Sequence, residues 1–312
     1  MIVTKLTDFL RLADLSSADL LKLLDLAADM KSDPLGWIDS HRGESVALIF
    51  EKPSTRTRVS FAAAAQRLGI MPISLSPSEL QLGRGETIGD TARALAEFTS
   101  AIAVRTFSQQ TLIDLASASK VPVINALSDD HHPCQVLGDL LTVRERVGHL
   151  SGVRLAFVGD GRNNVVHSLM EGGALTGMDI AIACPAHYRP DAEIEAQAQA
   201  TASLNGGQIE VMEDPSQAAA GAHVVYTDVW VSMGEEGEQA ERLATLSPYQ
   251  VNAELMVRAR PDAFFMHCLP AHRGSEVTGE VIDGPRSAVW QQAGNRMPTE
   301  QAVLETLIGT AR

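Results

Sequence analysis

Strand-length apolar runs that alternate with amphipathic helical stretches constrain this chain more than any other feature. A first series occupies 46–50, 71–75, 101–104 and 121–125; a second occupies 154–158, 179–183, 208–212, 223–227 and 263–266. Such alternation predicts parallel sheets covered by helices on both faces. The helices have readable ends. Ser16 stands three residues before Asp19, as in a capping box, and Leu20, Leu23, Leu24 and Ala27 then line one face. Gly69 closes a helix predicted over 55–68, and the run 193–204 reads as an exposed helix that turns at Gly206-Gly207. At 312 residues the chain is about twice a typical domain length. The polar stretch 145–152 separates the two series. The expected class is therefore α/β, with two doubly wound parallel-sheet domains, 1–146 and 147–312, and a cleft between them.

Charge narrows the range of partners. Acidic residues outnumber basic ones, 39 to 25, for a net charge of −14. That field repels nucleic acid and anionic membranes, so neither is expected as a partner. An anionic substrate would then need its positive groups gathered locally, and clustered arginines become informative. No apolar run is long enough to span a bilayer, and residues 1–10 have neither a signal-peptide nor a transit-peptide plan. With three cysteines in no paired spacing, Cys134, Cys184 and Cys268, a reducing, cytoplasmic setting is expected.

In open parallel sheets ligands bind beyond the carboxyl ends of the strands, and those positions are polar here. After 46–50 come Lys52-Pro53-Ser54-Thr55-Arg56-Thr57-Arg58 and then a helix. Hydroxyls and guanidinium groups at a helix N-terminus suit phosphate; one isolated Ser or Thr there would be an ordinary cap. The next strand ends deliver Gln81, in a Gly-rich polar loop, and Arg105. His131-His132-Pro133-Cys134-Gln135 follows the fourth run. His131 reads as a structural hydrogen bonder. His132 can donate to a carbonyl oxygen that gains negative charge, and the Gln135 oxygen can accept from an NH₂ group. A metal site built from His132, Cys134, His267 and Cys268 lacks ligand spacing, and neither a metal nor a cofactor is expected.

The second series opens Gly159-Asp160-Gly161-Arg162-Asn163-Asn164, which begins like a dinucleotide fingerprint. It then fails, because Asn164 stands where the third Gly belongs and no acidic residue ends the next strand. Later strand ends carry Asp228-Val229-Trp230-Val231-Ser232-Met233-Gly234 and His267-Cys268-Leu269-Pro270. An Asp can pair with an ammonium, and a Ser hydroxyl with adjacent N–H groups can hold a carboxylate, so these describe an amino-acid site. Met233 and Leu269 would act through their backbone, since their side chains read as packing.

Ser54-Thr55-Arg56-Thr57-Arg58, His132-Pro133-Cys134-Gln135 and His267-Cys268-Leu269-Pro270 resemble the three carbamoyl-phosphate motifs of the carbamoyltransferases. The 228–234 segment resembles the one that distinguishes the ornithine enzymes of that family, and the likeness covers nearly the whole chain. The resemblance implies transfer of the carbamoyl group of carbamoyl phosphate to the δ-amine of L-ornithine, giving citrulline and phosphate. It implies that Ser54, Thr55, Arg56, Thr57 and Arg105 bind the phosphate, with Gln81 reaching in from a neighbouring subunit. His132, Gln135, Arg296 and the backbone of Cys268 and Leu269 would surround the carbamoyl group. Asn164, Asp228, Ser232 and Met233 would hold ornithine, with Cys268 beside the attacking amine. Arg105, His132, Cys268 and Arg296 are thus the expected catalytic residues. The resemblance also implies a last helix, about 296–312, that returns to the first domain, and a homotrimer or a multiple of trimers. Gly294 departs from the family's Glu at that position and bears on the placement of Arg296; Pro53 stiffens the phosphate turn. The aspartate enzymes share the phosphate motif but are disfavoured by Cys134, Cys268 and Ser232-Met233-Gly234.

Overall fold

The computed structural model describes residues 6–80, 85–231 and 236–310. Two compact units emerge, Met1–Leu141 with Gly294–Arg312, and Thr142–Ala293.

In the first unit, helix α1 (Ser17–Ser32) starts at its sequence signal: the Ser16 hydroxyl accepts the Asp19 N–H at 3.1 Å, and Leu20, Leu23, Leu24 and Ala27 are buried. Strands β1 (Ser45–Phe50), β2 (Met71–Leu75), β3 (Ala101–Arg105) and β4 (Val123–Leu127) form a parallel sheet in the order β2-β1-β3-β4. Helices α2 (Arg56–Arg67), α3 (Ile88–Ala96) and α4 (Gln109–Ala118) connect them. Ala47, Ile49, Ile102, Val104 and Val123 pack with Ala92, Leu112 and Leu115 in the core. Strand β4 begins two residues later than its apolar run, because the Ser119 hydroxyl accepts the Val121 N–H at 3.1 Å and holds Val121 in the preceding turn. Phe9 covers the β4 edge, donating to the Val123 carbonyl and accepting from Asn125 N–H. An edge paired in this way cannot recruit another strand.

Helix α5 (Pro133–Val147) leads into the second unit. There β5 (Arg154–Val158), β6 (Asp179–Ala183), β7 (Gln208–Met212), β8 (Val224–Thr227) and β9 (Phe264–His267) form a parallel sheet ordered β7-β6-β5-β8-β9. The connecting helices are α6 (Asn164–Thr176), α7 (Ala192–Asn205), α8 (Pro215–Ala219), α9 (Gln239–Leu246), α10 (Ala253–Arg258) and α11 (Gly279–Ile282). Helix α7 is the exposed helix read from 193–204; Asp191 caps it, Gly206 ends it at φ 81°, and only Ala198 and Ala202 are buried among its described side chains. Helix α12 (Val289–Thr310) begins in this unit and belongs from Gly294 onward to the first.

Both sheets are parallel throughout their described strands, so the class is α/β with helices interleaved. Each sheet has one switch point, where the strand order reverses: between β1 and β3 in the first, between β5 and β8 in the second. Ligand sites form beyond the carboxyl ends of such strand pairs. Among the described residues no helix is long and apolar enough to cross a membrane.

Candidate active site

At the first switch point the carboxyl ends of β1 and β3 are tied together. Glu51 N–H donates to the Arg105 carbonyl at 2.8 Å, and the Thr106 hydroxyl donates to the Glu51 carboxylate at 2.5 Å. Ser54 is half-buried and Thr55 exposed at the start of α2; Arg56 and Thr57 are its first residues, half-buried and buried respectively. Thr55 makes no side-chain cap to its own helix, and the positive end of a helix favours an anion. Arg58, the second arginine of this turn, lies over the Phe50 ring, 4.7 Å from its centroid. Lys52, which the sequence does not single out, is buried between the Asp129 carboxylate and the Phe107 ring, 4.2 Å from the ring centroid.

Arg105 ends β3 and is buried. His131 closes the turn after β4: its N–H donates to the Ser128 hydroxyl at 3.0 Å and its carbonyl accepts the Ser128 N–H at 2.9 Å. That turn delivers His132, which is buried just before α5. Burial, then the charges of Arg296, Arg105 and Arg56, hold its imidazole well below the usual histidine range. A neutral imidazole near three arginines can donate a hydrogen bond without adding charge. Cys134 is an inert thiol: burial raises its pKa, and it donates to the Asn125 carbonyl at 3.3 Å.

Arg296 joins this group from α12. Nη1 donates to Gln135 Oε1 at 3.3 Å, and Nη2 donates to Thr57 Oγ1 at 3.1 Å and to Glu300 Oε1 at 2.8 Å. Gln135 turns its NH₂ to Asp139, at 2.8 Å, which leaves its oxygen as the group offered to Arg296 and to a ligand. Of the first-unit residues expected from sequence, the structure gathers Thr57, Gln135 and Arg296 in direct contact and sets His132 within the field of Arg56, Arg105 and Arg296. Gln81 lies outside the described residues. Glu300 and Asp139 were missed. The spacing of Glu300, four residues after Arg296 on a helix, was the available signal.

The second switch point is built on Asp228, which follows β8 directly and is 7% exposed. Its Oδ1 accepts the Cys268 thiol and the Val229 N–H, each at 2.8 Å, and its Oδ2 accepts Asn163 Nδ2 at 2.8 Å. Asn163 also caps α6 through the Val165 N–H, so it aligns the helix and the carboxylate together; sequence reasoning did not name it for the site, and Asn164, expected at ornithine, is the first residue of α6. Ser232 and Met233 lie outside the described residues. Cys268 and Leu269 follow β9. Leu269 has φ 61°, and its N–H donates to His267 Nδ1 at 2.8 Å, while His267 Nε2 faces Glu276 at 3.4 Å. A non-glycine residue in this left-handed region costs on the order of 1–2 kcal/mol, so the turn needs such bracing.

Asp228, His267 and Cys268 offer ligand atoms within 4.8 Å of one another, an array a metal ion could use. As they stand, Asp228 and Cys268 bond each other and His267 braces the backbone. The Gly159–Asn164 stretch serves packing and the carboxylate network. Asp160 is bonded to the buried Arg242, whose Nε donates to the Trp230 carbonyl at 2.6 Å.

Residues 7–145 match the family model for the carbamoyl-phosphate-binding domain of aspartate/ornithine carbamoyltransferases, and residues 151–307 match that for the Asp/Orn-binding domain. The chain is 53% identical over 289 residues to the ornithine carbamoyltransferase of Methanothermobacter thermautotrophicus, covering 92% of this chain and 94% of that protein. It is 49% identical over 302 residues to that of Synechococcus elongatus, covering 97% of each. The solved structure of the Pyrococcus furiosus ornithine carbamoyltransferase superposes with a TM-score of 0.95 at 45% identity, covering 99% of both chains.

Proposed function

The chain belongs to the aspartate/ornithine carbamoyltransferase family, and from that membership we propose that it transfers the carbamoyl group of carbamoyl phosphate to the δ-amine of L-ornithine, releasing citrulline and phosphate. The observation that carries this reading is the cluster of buried Arg105, Arg296 and neutral His132 beside the α2 N-terminus, in a chain of net charge −14. So much positive potential gathered against the overall charge fits a small, highly charged anion.

Ser54, Thr55, Arg56, Thr57 and Arg105 take the phosphate, with Gln81 supplied by a neighbouring subunit of a homotrimer or a multiple of trimers. Arg105, His132 and Arg296 donate to the carbamoyl oxygen, and Gln135 accepts from the carbamoyl NH₂, with the backbone of Cys268 and Leu269 completing its surroundings. Asn164, Asp228, Ser232 and Met233 hold the α-amino and carboxylate ends of ornithine, and Cys268 lies at the amine. The deprotonated δ-amine attacks the carbonyl carbon. The C=O pair moves onto oxygen, held by the three cationic or N–H donors, and returns as the C–O bond to phosphate breaks; the amine proton leaves with the products. Alignment of the two substrates and the oxyanion donors supply most of the acceleration. The setting is cytoplasmic, in arginine biosynthesis or its reverse.

Asp228 favours ornithine over aspartate as acceptor. A buried carboxylate attracts an ammonium and repels an acceptor that brings a second side-chain carboxylate. Radiolabelled carbamoyl phosphate offered with ornithine, putrescine, acetylornithine or aspartate tests this: label is expected in citrulline, and label in carbamoyl-aspartate without citrulline would overturn it.

A further inference from the structure

Helix α12 carries two opposite charges one turn apart, and both are buried: Arg296 is 3% exposed and Glu300 0%. Their closest atoms lie 2.8 Å apart. Desolvation cancels much of the attraction in such a pair, so it adds little to stability and is better understood through the geometry it imposes. The geometry here is specific. Glu300 takes one donor of the guanidinium, Thr57 a second and Gln135 a third, which fixes the plane of the fork. The buried Nε of Arg296 has no partner among the described residues, so the fixed plane also fixes where that donor points.

We propose that Glu300 is a positioning residue of the transfer reaction: its ionised carboxylate holds the Arg296 guanidinium in register with Thr57 and Gln135, and protonation releases that hold. The inference rests on Arg296 being the carbamoyl-binding group described above. Among the described residues, the groups that set the charge of Glu300 are Arg296 on its own helix and the Ser60 hydroxyl on α2. Cys134 on α5 also lies within its field and stays a neutral thiol. Burial is the largest influence and pushes the Glu300 carboxyl up to about 7, against the pull of Arg296 and Ser60. The switch therefore falls near neutrality.

The test compares wild type, Glu300→Gln and Glu300→Asp, each checked for fold by circular dichroism, from about pH 6 to about pH 9 with both substrates saturating. At about pH 8 Glu300→Gln is expected to lose at least about tenfold in kcat, with KM for ornithine nearly unchanged, because the loss falls on transition-state contacts. The wild-type to Glu300→Gln ratio of kcat should then shrink about five- to tenfold by about pH 6, as wild type protonates and the variant does not. Titration of the ornithine amine is common to both and cancels in the ratio. Glu300→Asp keeps the charge with a shorter reach, and should recover part of the loss and retain the acid limb. A purely structural role would change kcat by a factor independent of pH, and that result overturns the proposal, as does full activity of Glu300→Gln. If Glu300→Gln does not fold, Glu300→Asp decides: a kcat reduced at about pH 8 by a factor that narrows toward about pH 6 supports the positioning role, and a factor independent of pH, or wild-type kcat throughout, sinks it. Calorimetric binding of carbamoyl phosphate to the folded variants separates this inference from the proposed function. Citrulline formation by wild type with a wild-type to Glu300→Gln ratio of kcat that does not vary with pH overturns positioning alone, whereas wild type that binds carbamoyl phosphate yet forms no citrulline overturns the choice of acceptor alone.

Discussion

His132 shows what single side chains contribute here. Buried and surrounded by the charges of Arg296, Arg105 and Arg56, its imidazole stays neutral, so the site concentrates positive charge on the arginines and keeps the histidine as a donor. Arg56 contributes to that field from the first turn of α2, where it is half-buried. Arg56→Ala is expected to weaken carbamoyl-phosphate binding by roughly 10- to 100-fold, the scale of one lost charge-assisted hydrogen bond. Calorimetry at constant ionic strength measures it, and unchanged affinity would refute the phosphate assignment. The arginines were visible as a motif. The neutrality of His132 was not, because it depends on residues at 56, 105 and 296 meeting in space.

At the scale of elements, the β5-to-α6 turn shows why a partial fingerprint misleads. Gly161 reads as a residue that lets a phosphate approach, yet a Cβ there would sit 2.5 Å from the Tyr188 carbonyl oxygen and 2.9 Å from Cys184 Sγ. The glycine is required by the close passage of the chain after β6. Gly161→Ala should therefore destabilise the protein by about 1–3 kcal/mol, as overpacking of a tight contact does. Urea denaturation reads this out, and a midpoint equal to that of wild type would show that the Tyr188 backbone can move aside. The helix caps were the most legible local feature: Ser16 and Gly206 each act where the sequence places them. The start of β4 was less so, since a side-chain turn at Ser119 competes with an apolar run for Val121.

For the whole molecule, the proposed trimer makes a test that no single chain can pass. Chains carrying Arg105→Ala and chains carrying Gln81→Ala, each nearly inactive alone, are dissociated, mixed and reassembled. Every mixed ring then contains one junction between an intact Arg105 and an intact neighbouring Gln81, so about a third of its sites should recover activity. Mixed trimers, verified by gel filtration, that stay at the level of the separate variants would show that Gln81 serves its own chain.

The sequence by itself determined the alternation of strands and helices, and with it two parallel sheets whose carboxyl ends carry the polar motifs. These depend on periodicity and local chemistry, which are properties of neighbours along the chain. Only the tertiary structure decided which motif residues meet. Arg296 bonds Thr57 and Gln135 across 239 and 161 residues of chain, and Cys268 bonds Asp228 across 40. It also decided that Glu300, an ordinary helical neighbour of Arg296 by spacing, is buried with it, and that Asn163 bonds Asp228. Burial sets the cost of a charge and therefore its pKa, and burial is fixed by packing between segments remote in sequence.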